Sequence, residues 1–450
     1  MKEFNFEKLP IVEIANEIII DAVNKGASDI HFDPSKDSLK IRFRIDGILS
    51  DYSIVPSKYK RNMISRIKMI AGMNIMETRL PQDGAIKSKI GDRLLDLRVS
   101  TLPTNNAEKI VIRILDYSMS LAGLDNLGFS KDAMEKINKL IRIPNGIILV
   151  TGATGTGKST TLYSILQKLN TEEVNIITVE DPVEMDIAGI NQVQTQTEIG
   201  LTFATILRSI LRQDPNIIMI GEIRDDETAR IAVRASITGH LVLSTLHTNN
   251  SLNTIERLTD MDVERYLLGS SLEGIISQRL ARKLCPNCMI KRQTTEYEKQ
   301  VFKTVIGKDI NEMYVANKEG CPRCNHGYRG RLAILEVLVM NEKIKDAITN
   351  NAPKHVLRDL VYTGEVVTLL QDGLNKVVEG ETSFEEILKI VDLENDMTAY
   401  KDDNLVANLK MAQKAHSIKE TPQQQPTPQV TQQVQQINNQ ISNNVETVEF

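Results

Sequence analysis

The sequence predicts an α/β protein: a larger domain on a mostly parallel sheet, preceded by a smaller α+β domain and carrying an inserted four-cysteine module. Three observations predict it. Strand-like apolar runs alternate with helix-like segments from residue 129 to about 280, the pattern of a parallel sheet wrapped by helices. One strand-to-helix junction reads TGATGTGKST, residues 151–160. Four cysteines fall in two CxxC pairs within one stretch. A chain of 450 residues is too long for a single core and suggests about two or three domains.

Composition narrows the class. Hydrophobic residues at 41% and charged residues at 25% are ordinary for a soluble globular protein. The first residues, MKEFNFEKLP, have no apolar signal-peptide core. No apolar run reaches the roughly 18 residues that span a bilayer. A cytoplasmic chain is therefore expected. The net charge of −5 and pI of 5.9 argue against a duplex-binding protein, which usually shows a basic face.

The elements follow in chain order. Ile11, Ile14, Ala15, Ile18, Ile19 and Ala22 share one face of a helix over 11–23, which Gly26 stops. Leu39, Ile41, Phe43 and Ile45 alternate with Lys40, Arg42 and Arg44, so 39–45 is a strand and Asp46-Gly47 its turn. Residues 57–73 return to helical period, and LLDLRVSTL and KIVIRIL give two more strands. These make an α+β domain over 1–115, and DYSMSLAGLDNLG (116–128) is its linker. From 129 on come IILV, a helix at 160–169, NIITVE, a helix at 202–212, NIIMIGE, a helix at 226–237, and HLVLSTLHT. Residues 340–397 are helical, with Thr382 and Glu385 spaced as a capping box.

The tail, 401–450, differs. PQQQPTPQVTQQVQQINNQISNN carries no charge and reads as a disordered polar segment. Val430, Val434, Ile437, Ile441, Val445 and Val448 nonetheless recur at helical spacing, so a short partner-bound helix is the competing reading.

The chemistry gathers at strand ends. Gly152, Ala153, Thr154, Gly155, Thr156, Gly157, Lys158 and Ser159 match the phosphate-loop pattern in full, between a strand and a helix as the motif requires. Glycines turn backbone N–H groups inward, Lys158 reaches the β- and γ-phosphates, Ser159 holds Mg²⁺, and the helix from Thr160 adds its positive end. TVEDPVE ends the next strand, and Glu180 and Asp181 are placed to order water on the metal. RQDPNIIMIGEIRD resembles a Walker B strand with Gly221 where a metal-holding aspartate usually sits. Glu222 is then the residue expected to polarise the attacking water, with Glu180 acting on the metal through its waters. Arg224 fits two roles, sensor or salt-bridge partner. His247 ends its strand and is placed to donate to the γ-phosphate, whereas His240 lies at the far end.

Cys285, Cys288, Cys321 and Cys324 form CPNC and CPRC with 32 residues between the pairs. In a reducing compartment such pairs point to a closed, structural Zn²⁺ site over about 285–324, and the long gap implies structure of its own. His326 is the less suitable ligand.

In this order, the phosphate loop, EDPVE, GLTFATILRSILRQDPNIIMIGEIRD and TGHLVLSTLHTN resemble the secretion ATPase superfamily of type II secretion and type IV pili. The resemblance covers roughly residues 10–395 and names the stretches Walker A, Asp box, Walker B and His box. It implies a homohexameric ring with a RecA-like motor domain at 129–400 and a PAS-like domain at 1–115. It implies ATP as the nucleotide, and an inner-membrane platform protein as partner at the cytoplasmic face of the membrane. It also implies that Arg98 and Arg113 are offered to a nucleotide held by another subunit, with Arg79 a weaker match. The CxxC pairs lean to assembly of a pilus or pseudopilus, or to secretion, rather than to pilus retraction. A RecA-like nucleic-acid translocase and a scaffold that binds ATP without turnover are the alternatives. The acidic pI, nine Phe and absent Trp argue against the first, and Glu222 against the second.

Overall fold

The computed structural model describes residues 1–91, 93–116, 123–362 and 365–391. It divides into two compact units, Met1–Leu121 and Ala122–Phe450. The glutamine-rich tail and its apolar stripe lie outside the described residues.

In the first unit the period-two segments become an antiparallel sheet. Its strands are β1 (Ala27–Pro34), β2 (Ser38–Ile45), β3 (Ile48–Pro56), β4 (Gln82–Ile90), β5 (Arg93–Thr104) and β6 (Ala107–Asp116). They lie in the order β3-β2-β1-β6-β5-β4. Alternate residues turn to one face, and Ile30, Phe32, Ile41, Phe43, Leu97 and Ile112 are buried there. The helices Ile11–Asn24 and Ser57–Ile70 cover that face with Ile14, Ile18, Met63 and Ile67. Asp46 and Gly47 take positive φ at the predicted turn. The sequence reading assigns no strand to β4, and its burial pattern shows why: the inward positions of this edge strand, Gln82, Gly84, Ile86, Ser88 and Ile90, are only half-buried, and just Ile86 and Ile90 are apolar, so its alternation is weak.

Lys68 is wholly buried, and its Nζ donates to Glu108 Oε1 and to the Glu77 carbonyl oxygen, each at 2.6 Å. Removing one partner leaves the other charge stranded, so Lys68→Met is expected to destabilise this unit by about 3–5 kcal/mol. Adding Glu108→Leu is expected to restore much of that loss. Urea unfolding of the full chain checks both; a double variant no better than the single one would count against the pair as the cause.

The second unit holds β7 (Gly146–Thr151), β8 (Ile176–Glu180), β9 (Asn191–Gln194), β10 (Ile217–Ile220), β11 (Leu241–Leu246), β12 (Leu272–Leu284), β13 (Ile290–Gln293), β14 (Glu312–Val315) and β15 (Tyr328–Val339). Its main sheet has the order β15-β12-β7-β11-β10-β8-β9. Neighbours run parallel except β12 and β15. β7, β8, β10 and β11 are buried along their whole length, the mark of parallel strands with helices over both faces. The ends of these four strands therefore meet at one edge, where ligands bind in such sheets.

β12 serves two cores. Leu272 and Ile275 belong to the main one, whereas Ala281 packs with Phe302, Ile334, Leu370 and Phe384 in a second. Between the cysteine pairs the chain forms the β13–β14 ribbon and the helix Glu296–Ile306, the independent structure that the long spacing implies.

The capping box expected at Thr382 and Glu385 is corrected by one residue. The helix is Phe384–Ile390, and Ser383 caps it by accepting from the Glu386 N–H. Thr382 instead donates to the Arg282 carbonyl at 2.8 Å, and the Glu386 carboxylate is taken by Arg282. Of the expected linker, 117–122 lies outside the described residues, and Leu124 is buried in the second unit.

Candidate active site

Gly152 follows β7 with φ of 150°, and a Cβ there would lie 2.5 Å from Thr156 Oγ1 and 2.6 Å from the Gln278 carbonyl oxygen. Only glycine lets the chain leave the sheet so tightly. Gly157, at φ 87°, caps the helix Lys158–Leu169. That helix starts two residues before the predicted Thr160, so the N–H groups of Lys158 and Ser159 belong to its open first turn. Thr156 Oγ1 braces the arch by donating to the Ala153 carbonyl at 2.9 Å. Ala153, Thr154, Gly155 and Ser159 are exposed, and Thr160 is half-buried.

Lys158 is buried and folds over the arch, donating to the Gly152 and Ala153 carbonyls at 2.9 and 3.0 Å. Burial pushes its ammonium below the usual lysine value; Glu222 opposes this and Arg279 adds to it. A desolvated cation, inward glycine backbone and a helix N-terminus fit a polyphosphate.

Glu222 stands two residues past the end of β10. Arg224 donates to its Oε1, and His247 Nε2 lies 3.3 Å from its Oε2. Burial pushes this carboxyl up, but Arg224 and His247 together outweigh it, so it sits below its ordinary value. Glu222, Arg224, His247 and Lys158 are thus one electrostatic group. The charge of Asp181 also acts on Arg224. At Gly221 a Cβ would lie 3.4 Å from Glu180 Cα and from the Val179 carbonyl, so the strand end is closely packed where the aspartate was expected.

Glu180 is placed differently from the others. It is buried, its Oε1 accepts from Thr178 at 2.6 Å and Gln192 at 3.0 Å, and its Oε2 accepts from Tyr163. Burial, then the Glu180 charge, push the Tyr163 hydroxyl well above its usual value. Glu180 therefore ties β8 to the helix of the phosphate loop.

Arg98 and Arg113 are in the first unit, opposite each other in the β5–β6 register. Arg113 Nε lies 3.2 Å from Asp29 Oδ1. Arg79 is exposed and paired with Glu77. His240 is held by the Ala235 carbonyl at 2.8 Å, away from the loop.

The cysteines come together as predicted. All four Sγ atoms lie within 4.8 Å of one another, with Cys285–Cys321 at 3.8 Å and Cys288–Cys324 at 3.6 Å. Sulfurs about 3.8 Å apart are what a tetrahedron with Zn–S of about 2.3 Å requires, and a disulfide needs about 2.05 Å. The site fits one tetrahedral metal ion. His326 bonds the Lys318 carbonyl and is not part of it.

Sequence reasoning missed Gln278 and Arg279. Gln278 Nε2 donates to the Thr156 carbonyl at 2.8 Å, and its Oε1 accepts from Thr161 at 2.7 Å. Arg279 Nη2 donates to Asn249 O and Oδ1 at 3.1 and 3.0 Å. The available signal was SQR inside the apolar run LEGIISQRLARKL: a buried strand keeps such residues only when they are bonded.

Against this geometry, a family model described as Type II/IV secretion system protein matches residues 5–389. The chain belongs to this family. The type II secretion system ATPase E of Vibrio cholerae is 44% identical over 382 residues, 85% of this chain and 75% of that protein. The type IV pilus assembly ATPase PilB of Myxococcus xanthus is 45% identical over 381 residues, 84% and 67%. Among solved structures, the pilus retraction motor PilT with bound ADP matches at 26% identity and a TM-score of 0.57, covering 88% of this chain and 98% of that one. The Legionella pneumophila ATPase DotB matches in fold, at 21% identity and a TM-score of 0.63, over 86% of this chain and 97% of that one. The resemblance read from the four motifs is borne out. The mixed α/β fold is that of a secretion ATPase, and the enzyme class is ATP hydrolase. No described helix is long and apolar enough to cross a membrane.

Proposed function

We propose that this secretion-family ATPase is a motor that turns ATP hydrolysis into pilus or pseudopilus assembly, or protein secretion. The observation that carries the reading is Glu222: a carboxylate oriented by Arg224 and His247 and coupled in charge to the phosphate-loop lysine. In this reading the loop of residues 152–160 cradles the ATP phosphates, Lys158 meets the terminal ones, and Ser159 would hold Mg²⁺, which offsets phosphate charge. Glu222 orients the attacking water. His247 holds Glu222 and faces the γ-phosphate, and Glu180 steadies the strand end from behind.

The rest of the architecture is proposed with it. Residues 1–115 form a PAS-like domain and 129–400 a RecA-like motor, joined by the linker 116–128. Six copies form a ring in which Arg98 and Arg113 serve a nucleotide held by a neighbour. The ring works at the cytoplasmic face of the membrane on an inner-membrane platform protein, without binding nucleic acid. Assembly or secretion is favoured over retraction by the cysteine module. Residues 401–450 remain a polar tail in this scheme.

Measuring ATP turnover per subunit against protein concentration tests the motor. Turnover that rises with concentration, alongside a size-exclusion mass that grows toward a hexamer, is the expected result. An active monomer would overturn the ring.

Zinc is the proposed occupant of the cysteine site. Elemental analysis is expected to give about one zinc per chain, lost in Cys288→Ser. Thermal unfolding should fall together with metal content, because metal affinity is folding energy. Full stability in metal-free protein would refute a structural role.

A further inference from the structure

β12 passes the phosphate loop as a rail, and its two neighbouring polar residues leave it on opposite faces, as successive strand residues do. On one face Gln278 is bonded at both ends of its amide: it donates to the Thr156 carbonyl inside the loop and accepts from Thr161 in the helix that follows. Gln278 is buried, and so is Thr161. On the other face Arg279 donates twice to Asn249, two residues beyond His247. The same face carries Ser277, whose Oγ lies 3.0 Å from Thr151 Oγ1, at the root of the loop. Glu336 sits opposite Ser277 on β15, wholly buried, and accepts from the Ser251 N–H at 2.9 Å, at the start of the helix that follows Asn249.

We infer that Gln278 and Arg279 are positioning residues that register the two halves of the nucleotide site against one strand. Gln278 fixes the loop that binds phosphate. Arg279 fixes the segment that carries His247, and through it the carboxylate of Glu222. Neither touches the reacting atoms. The inference rests on the ATPase reading above and deepens it, because it gives the binding half and the turnover half of one site different side-chain hydrogen-bond supports on adjacent residues of one strand.

The division has a kinetic signature. Gln278→Leu keeps volume and removes both amide bonds. It is expected to raise KM for ATP, and Kd for a fluorescent ATP analogue, about tenfold or more, with kcat within about twofold. Arg279→Lys keeps the charge but ends one atom short of Nη2, the nitrogen that makes both bonds to Asn249. It is expected to lower kcat about tenfold with KM within about twofold. Thr161→Val removes the same bond from the other side and carries the test if Gln278→Leu does not fold. The Gln278→Leu, Thr161→Val pair should be clearly less than additive in Kd, as residues sharing one bond are. Variants that lose thermal stability while Kd, KM and kcat stay at wild-type values would overturn the inference, as would both changing KM and kcat in the same proportion. A wild type that binds the analogue but hydrolyses no ATP would sink the motor reading instead, and the Kd comparison would still judge Gln278.

Discussion

Glu222→Gln is expected to lower ATP turnover by about 10²–10⁴-fold while nucleotide binding stays near wild type. The substitution keeps the size of the side chain and removes its charge. Lys158 and the glycine arch are untouched, so the phosphates are still held. What is lost is the anion that Arg224 and His247 orient. The pH profile follows with a definite sign. Burial raises the Glu222 carboxyl, but Arg224, and after it His247, bring it below the ordinary glutamate value. The ionised, active form therefore persists to lower pH than a free glutamate would allow. The acid limb of kcat assigned to this group should fall below the ordinary glutamate range, and Arg224→Ala should move it upward. A Glu222→Gln enzyme with wild-type turnover would place the base elsewhere. Glu180 would be a poor substitute, because both its oxygens already accept hydrogen bonds from Thr178, Gln192 and Tyr163.

The contrast between Glu222 and Gln278 explains how much was legible. The phosphate loop, the strand before it and the helix after it are contiguous, and glycines there answer a local backbone demand. Glu222 and His247 were legible because each follows the end of a strand in the strand–helix alternation, which places both at one sheet edge. The four cysteines were legible because metal chemistry fixes their spacing. Gln278 is 122 residues from its partner Thr156, and nothing local announces that pairing. β12 itself escaped notice because it crosses two cores and mixes buried polar with apolar residues. The capping register at Ser383 was missed for a related reason: Thr382 and Glu386 are both drawn to Arg282, about 100 residues earlier. Local spacing predicts caps only where no distant partner competes.

The largest effect is expected at the arginines of the first unit. Arg98→Ala and Arg113→Ala, alone or together, should reduce turnover by up to about 10³–10⁵-fold if they compensate charge on the transferring phosphoryl group, as arginine fingers do. Loss of activity alone would not say whose nucleotide they serve. Mixing does. A Glu222→Gln subunit still offers both arginines, and an Arg98→Ala, Arg113→Ala subunit still offers Glu222. Each is inactive by itself. In a ring with head-to-tail interfaces, random mixing in equal parts places an intact Glu222 against an intact arginine pair at about a quarter of the interfaces. Turnover should then return toward that fraction of wild type, after exchange through the dissociated state. If each chain serves its own nucleotide, no mixture contains a complete site, and the mixture stays as inactive as its parts. If the arginines are only sheet residues, like Arg113 bonded to Asp29, the double variant keeps its turnover and needs no complementation.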